Sequence, residues 1–241
     1  MKKGQKLWTR EEVLIAINLY HKLPFGQLHS RNEKIIETAS YIGRTPNSLA
    51  LKLVNLASLD SSLNRKGMSN YSKLDKKVWN EFYNNPEDVV FESEKLLQPN
   101  EIHTKTLKTE YIISIKQRIN QSFFRKSVLA SYNNKCCISG VDIQSMLIAS
   151  HIIPWSINEA NRLNPSNGLC LNSLYDKAFD KGFITIDRDY RIVLSSKLKD
   201  NQNIFIKDNF QKVEGNSIDL PSKFLPNKSF LMYHNENVFI Q

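Results

Sequence analysis

The chain has 241 residues, which is enough for one large hydrophobic core or for two modest domains. Hydrophobic residues make up 41% of it and charged residues 24%, a balance that excludes an intrinsically disordered chain and predicts a folded globular protein. The formal net charge of +9 favours a polyanionic partner such as nucleic acid, although proteins without such a partner can also be basic.

Cysteine content and hydropathy indicate the compartment. The three cysteines, at positions 136, 137 and 170, are too few for a four-thiolate zinc site, and their odd number fits a reduced protein. Charged residues at positions 10–12 interrupt what would be the apolar segment of a secretory signal. No apolar run approaches the roughly 20 residues that cross a bilayer. We therefore expect a cytoplasmic protein with no membrane partner.

Helical patterns occupy the first sixty residues. Thr9 followed by Glu12 is a capping-box pattern that predicts a helix start, and Pro24 predicts its end. A second helical pattern begins after Asn32 and stops at Gly43, a residue suited to a left-handed C-cap. A third pattern has a proline in its first turn and leucines spaced for one apolar face.

The glycine-containing turn between the second and third helices is the outline of a helix-turn-helix unit. The third helix would then present Arg44, Asn47, Ser48 and Lys52 near its N-terminal half, where such helices meet base edges and phosphates. The alternative is a plain three-helix bundle whose polar residues face water. From the first interpretation we predict that Arg44, Asn47 and Lys52 bind DNA.

Three regions follow from this composition. Residues 1–60 form a helical, helix-turn-helix-like domain, and residues 61–103 form a linker or extension, because they are rich in turn residues and contain one short helical pattern at 73–83. Residues 104–241 form the second domain.

A long helical pattern at 105–132 leads into the second domain. Its basic side chains dominate, with six basic residues against one acidic residue over positions 104–126. Arg118 and Arg125 lie seven residues apart and share one helix face. We expect them to follow a phosphate backbone, the alternative being that they are simply solvated.

A strand, loop, strand, helix pattern occupies the middle of this domain. Residues 147–152 have strand character and place His151 near their end, and a polar loop then closes at Asn167 before the short apolar segment "GLCL". Asn172 is placed to cap the helix "SLYDKAFDK", which Gly182 ends. Past Gly182 the alternation in "FITIDRDYRIVLSS" predicts a hairpin.

Two acidic residues on the predicted short helix have the spacing of a cation site. Asp176 and Asp180 lie four residues apart, so their carboxylates project from one face and suit a hard divalent cation such as Mg²⁺. The imidazole of His151 can take a proton from water near neutral pH. The alternative is that the aspartates are surface partners of Lys177 and Lys181 and that His151 is a satisfied core side chain. The joint spacing favours a hydrolytic site.

The segments "CCISG", "LIASHIIPW" and "NGLCLNSLYDKAFDKGFITI" resemble the HNH endonuclease family, specifically its bacterial restriction-type members. The resemblance implies a ββα-metal nuclease domain and therefore an α+β protein in which a helical domain precedes that module. It further implies that His151 is the general base, that Asn167 orders the loop and holds the base, and that Asp176 binds the metal ion.

Two positions depart from the family pattern. Many relatives carry an acidic metal ligand directly before the base, where this chain has Ser150, so we expect Asp180 to be the second ligand. Close relatives have histidine where this chain has Tyr175, which implies that the histidine is dispensable or that activity is altered. Ser150 and Tyr175 are expected to support the site. Some relatives also have a structural zinc site made by two pairs of cysteines. We expect no structural zinc here, because Gly140 stands where the partner of Cys137 in such a pair would be.

The implied activity is hydrolysis of DNA phosphodiesters with a divalent metal ion, Mg²⁺ or Mn²⁺, in restriction or another anti-phage defence. Arg162, Lys177 and Lys181 are expected to hold phosphates beside the cut, with solvated surface as the alternative. Cutting both strands needs two sites, which favours a homodimer. Three alternatives stay open: a mobile-element or homing nuclease, a DNA-binding regulator with a decayed site, and a nuclease directed at RNA.

Overall fold

The computed structural model describes residues 6–63, 70–98 and 109–241. It divides the chain into two compact units, residues 1–126 and 127–241. Within the described residues no helix combines the length and the apolar character that a membrane crossing requires.

The N-terminal unit is helical and is built around its first helix. Almost every residue of α1 from Glu12 to His21 is buried, because α3, α4 and α5 all pack against it. Thr9 and Glu12 form the predicted capping box at its start. The helices of this unit are α1 (Arg10–Lys22), α2 (Glu33–Tyr41), α3 (Pro46–Ala57), α4 (Lys73–Asn84), α5 (Pro86–Leu97) and the first part of α6 (Thr109–Ser131).

Residues 73–97, which we expected within a linker or extension, form two helices of this unit. Ser72 and Asp75 make a second capping box at the start of α4, and Pro86 occupies the first turn of α5. The apolar faces of both helices are buried, with Val78 and Val90 inaccessible to solvent. The asparagines and proline near position 85 therefore mark a boundary between two packed helices.

The expected start of the second domain, at residue 104, lies outside the described residues. The unit boundary falls inside α6, after residue 126. The reason is aromatic packing, since the ring of Phe123 lies 5.5 Å from that of His21 on α1. Arg118 is exposed and Arg125 is half-buried on this part of α6, so their role toward DNA stays a prediction.

Two of the three residues predicted to bind DNA from the first sixty are committed to internal ion pairs. Arg44 pairs with Glu12 at 2.6 Å, and Lys52 pairs with Asp75 at 2.7 Å. Glu12 and Asp75 are the acidic residues of the capping boxes that begin α1 and α4. The two cations therefore neutralise the carboxylates at the starts of these helices. Both cations are therefore held by internal ion pairs, and their contact with DNA stays a prediction. Asn47 is exposed, and the helix-turn-helix interpretation stays a prediction.

The C-terminal unit contains the predicted strand, loop, strand, helix order. Strands β1 (Leu147–His151) and β2 (Gly168–Asn172) pair antiparallel, with His151 opposite Gly168, and α7 (Ser173–Asp180) packs on both. Strands β3 (Ile184–Ile186) and β4 (Ile192–Leu194) form the predicted hairpin. The remaining helices are α8 (Ser196–Lys199), α9 (Ile204–Asn209) and α10 (Lys228–Asn237).

Helix α10 places the C-terminal residues against the middle of this unit. It contacts β3, and its Leu231 is fully buried. The core beneath α7 combines Phe179 with Ile184 and Ile186, all inaccessible to solvent. The α7 helix is thus held between a two-stranded sheet and α10, which leaves its remaining face for the site.

Candidate functional site

A cavity of about 490 Å³ in the C-terminal unit brings the predicted base together with the two predicted metal-binding acids, whereas Asn167 is not among its lining residues. His151 at the end of β1 and both aspartates of α7 line it. The convergence follows from local geometry, because β1 and α7 both pack on β2 and the two aspartates lie one helical turn apart. The polar and aromatic side chains that line the cavity are Ser150, His151, Trp155, Asp176, Lys177, Asp180, Lys181 and His234.

Asn167 holds the loop that follows His151. Its side-chain oxygen accepts a hydrogen bond from the Ile153 backbone N–H at 2.8 Å, and its amide nitrogen donates to the Ile153 carbonyl at 3.2 Å. Its own carbonyl accepts from the Ile152 N–H at 2.9 Å. Asn167 is buried, so these bonds are shielded from competing water. Asn167 therefore constrains the two residues directly after His151.

The ring of His151 is oriented by two contacts. Its Nε2 lies 3.0 Å from the carbonyl oxygen of Arg162, and because a carbonyl only accepts, Nε2 carries the hydrogen. The lone pair of the neutral ring is therefore on Nδ1. Trp155 meets the ring edge-on with centroids 5.3 Å apart. Burial lowers the pKa of His151, an effect that the bond to Arg162 partly offsets.

Arg162 makes several contacts inside the loop that follows His151. Its Nε donates to the Trp155 carbonyl at 2.8 Å, and its guanidinium lies 5.4 Å from the centre of the Trp155 ring. It also pairs with Glu159 at 3.1 Å. Since the carbonyl of the same residue binds His151, Arg162 connects the base to the tryptophan beside it. The guanidinium is thus used inside the loop, and its contact with phosphate stays a prediction.

Asp176 is half-buried and Asp180 is exposed, and their negative charges repel each other. Burial is the main cause that raises the pKa of Asp176, and the charge of Asp180 raises it further. Burial likewise raises the pKa of Asp180, while the charges of Lys177 and Lys181 lower it. Both lysines are exposed on the same side of α7 as the cavity they line.

Ser150 lies beneath both carboxylates. Its hydroxyl interacts with Asp176 and with Asp180, which lowers both pKa values. The hydroxyl oxygen is nevertheless buried without a hydrogen bond of standard geometry to any residue in the described part of the chain. The contact is therefore looser than a hydrogen bond, and a polar atom beside two acids is left unsatisfied.

These observations fit a divalent cation. Two carboxylates and an unsatisfied hydroxyl are hard oxygen donors, and the repulsion between the acids is relieved when a cation lies between them. Within the described ranges, no group of three or more His, Cys, Asp or Glu side chains has the arrangement of a metal site. Mg²⁺ is commonly held by one or two carboxylates with water completing its coordination, so a pair of aspartates is sufficient. The three cysteines are buried.

Tyr175 is not among the residues that line the cavity, and its support of the site stays a prediction. It is buried, its hydroxyl donates to the Asn209 carbonyl at 2.6 Å, and its ring meets Phe210 edge-on at 5.6 Å. Successive helical residues point about 100° apart, so the residue before Asp176 faces a different side of α7. Tyr175 anchors α7 to the segment after α9.

His234 lines the cavity and also packs in the core of this unit. It is buried and stacks on Phe179 with ring centroids 3.7 Å apart. Its Nε2 donates to the Phe179 carbonyl at 3.2 Å, and its Nδ1 accepts from the Thr185 hydroxyl at 2.8 Å. The position beside Asp180 was not foreseen, because 55 residues separate His234 from Phe179.

Trp155 was also not singled out as a site residue. Its presence in the quoted segment "LIASHIIPW" was the available signal.

Gly182 has a structural reason to be glycine, with φ of +69° and an ideal Cβ that would lie 2.1 Å from the Val238 carbonyl oxygen. The Gly182 carbonyl accepts from the Ile240 N–H at 2.9 Å. The residues after α10 therefore pack directly on the end of α7.

Comparison with known proteins agrees with this geometry. The model of the HNH endonuclease family matches residues 136–187, which include β1, the loop, β2 and α7. No curated protein matches the chain.

Proposed function

We propose that this chain, a nuclease whose residues 136–187 are an HNH endonuclease domain, is a metal-dependent DNA endonuclease. The observation that carries the proposal is a single cavity lined by a neutral imidazole, two opposed carboxylates and two exposed lysines. A base beside a cation site is the minimal equipment for hydrolysing a phosphodiester. The net charge of +9 favours the polyanionic substrate.

His151 acts as the general base. Its lowered pKa keeps the ring neutral at neutral pH, and the Arg162 carbonyl commits Nε2 to donation, so Nδ1 receives the proton of the attacking water. The water oxygen forms a bond to phosphorus while the bond from phosphorus to the 3′-oxygen breaks. The products are a 5′-phosphate and a 3′-hydroxyl, the latter after the leaving oxygen takes up a proton.

Asp176 and Asp180 hold the cation, and Ser150 adds a polar atom beneath them. A bound Mg²⁺ or Mn²⁺ supplies Lewis-acid stabilisation of the negative charge that develops on the phosphate and on the leaving oxygen. Lys177 and Lys181 attract the DNA backbone to the same rim. Asn167 acts as a positioning residue, because its hydrogen bonds to Ile153 hold the loop that follows His151.

The biological role that we propose is restriction or another anti-phage defence, with a mobile-element nuclease as the alternative. The resemblance to restriction-type HNH nucleases supports the first. Duplex cleavage requires two such sites, which supports a homodimer. Asn47, Arg118 and Arg125 are proposed as further DNA contacts, since Asn47 and Arg118 are exposed and Arg125 is half-buried.

The test is cleavage of a supercoiled plasmid by the purified chain with Mg²⁺ and with a chelator. His151→Ala should reduce the rate by at least about a hundredfold, the typical loss of a general base. His29→Ala is the matched control, because His29 is an exposed histidine in the other unit. Tight DNA binding without cleavage by the parent would instead identify a regulator. Faster degradation of RNA than of DNA in the same reaction would reassign the substrate.

A further inference from the structure

A second cavity, of about 500 Å³, lies in the N-terminal unit around Trp8. Every charged side chain that lines it is a cation, and its apolar wall consists of Leu7, Leu74 and the indole itself. The volume is within the range of ordinary ligand sites. The cationic lining residues are Lys6, Arg44, Lys52 and Lys73.

The indole of Trp8 is held in place by two of these cations. The Arg44 guanidinium carbon lies 4.5 Å and the Lys52 ammonium 4.7 Å from the centre of the ring. Buried ion pairs with Glu12 and Asp75 hold both cations in these positions. Trp8 is half-buried, so part of the ring still meets the cavity. The aromatic surface is therefore preorganised without a ligand.

The cavity keeps an excess of positive charge after these pairs are counted. Glu12 and Asp75 offset two of the four cations, and each carboxylate is already occupied, since Glu12 also accepts from the Thr9 N–H and Asp75 from the Ser72 N–H. Lys6 forms an ion pair with Glu12 at 3.0 Å, but its side chain is 62% exposed and the pair is open to water, and Lys73 is exposed. The positive charge available to a ligand is thus concentrated on Lys6 and Lys73.

We propose that this cavity binds a nucleotide unit, with its base against Trp8 and its phosphate near Lys6 and Lys73. An aromatic ring accepts any base by stacking, and mobile ammonium groups attract phosphate without fixing the sequence. A simple inorganic anion would use the lysines but not the apolar wall. A neutral aromatic ligand would use the wall but not the charge. The inference goes beyond the proposed hydrolysis and does not depend on it.

The nucleotide has two possible sources, a free mononucleotide or one unit of a DNA strand, and binding measurements separate them. The His151→Ala chain is titrated by calorimetry with dAMP and with a single-stranded oligonucleotide of about ten nucleotides. Trp8→Leu should weaken binding by about tenfold or more, the usual loss when one stacked base loses its ring. Trp8→Phe keeps an aromatic ring and should restore most of the affinity. Lys73→Glu should weaken binding and reduce its dependence on salt, whereas Lys34→Glu, at an exposed position on α2, should leave it unchanged.

Binding of dAMP assigns the cavity to a free nucleotide, and binding of the strand alone assigns it to nucleic acid. Failure of both probes to bind, or equal affinity in the parent and in Trp8→Leu, overturns the proposal. Circular dichroism of Trp8→Leu and Trp8→Phe identifies any loss of fold. Because the binding is measured in the His151→Ala chain, a failure here is separate from a failure of the proposed cleavage.

Discussion

His234 stacks on Phe179 with the two ring planes only 11° apart, and it also donates to the Phe179 carbonyl. Phe179 directly precedes Asp180, so a side chain on α10 holds the end of the helix that carries both acids. This contact connects the C-terminal residues to the proposed cation site. Four predictions follow from the geometry around α7 and His151.

The first prediction concerns the pH dependence of stability. Burial lowers the pKa of His234 to about 4, against an ordinary value of 6.5. The stabilisation that neutral His234 gives the folded state is therefore fully present above pH 6.5 and is lost as the pH falls toward 4. Over this range the histidine binds a proton in the unfolded chain but stays neutral in the folded chain. We expect the free energy of unfolding to fall over that range by about 2–3 kcal/mol from this residue. His234→Phe keeps the stacking and should flatten the pH dependence, as measured by urea unfolding.

His234→Phe has a second expected effect, on cation binding. Losing the bond to the Phe179 carbonyl frees the last turn of α7, so Mn²⁺ affinity measured by calorimetry should fall while the domain remains folded. His29→Phe serves as the control because His29 is exposed and lies in the other unit. Unchanged Mn²⁺ affinity in a folded His234→Phe chain would show that His234 acts only in packing.

The second prediction concerns Gly182. In Gly182→Ala the new Cβ would meet the Val238 carbonyl oxygen at 2.1 Å, so the residues after α10 must move. We expect a loss of about 3 kcal/mol or more in the free energy of unfolding, from the clash and the left-handed backbone together. Gly140→Ala is the matched control, because Gly140 has a similar φ of +71° but nothing within 4 Å of its Cβ. Equal losses in the two variants would contradict the clash.

The third prediction separates charge repulsion from cation binding. Asp180→Asn should abolish metal-dependent cleavage and Mn²⁺ binding, since one of the two carboxylates is lost. In the presence of a chelator the same variant should be more stable than the parent, because the charge of Asp180 raises the pKa of Asp176 through like-charge repulsion. Thermal unfolding with and without Mn²⁺ measures both effects. If Asp180→Asn is less stable than the parent in the presence of chelator, repulsion between the two carboxylates does not destabilise the parent.

The fourth prediction is the pH profile of cleavage. A general base works only when it is unprotonated, so the rate should fall as the pH drops through the pKa of His151. Because burial lowers that pKa, the inflection should lie below 6.5 and the rate should be flat above it. Single-turnover rates at saturating metal ion provide the measurement. An inflection above 6.5 would require a different base or a different environment for the ring.

Much of the local structure could be predicted because it depends on residues close in the chain. Thr9 with Glu12, Asn172 and Gly182 act within one helical turn, and the structure confirms all of these caps. The spacing of Asp176 and Asp180 places them on one face by helix geometry alone. The HNH segment was likewise recognisable because its motif residues lie within one short stretch.

Only the tertiary structure decided what the long-range partners are. Arg44 and Lys52 bind carboxylates that lie 32 and 23 residues away in the chain, and local spacing gave no sign of these ion pairs. Arg162 likewise serves the loop, Tyr175 faces Phe210, and His234 meets Phe179 across 55 residues. A periodic pattern determines which residues share a face of one element. Which charges and rings meet across elements depends on packing, and that is not encoded in local spacing.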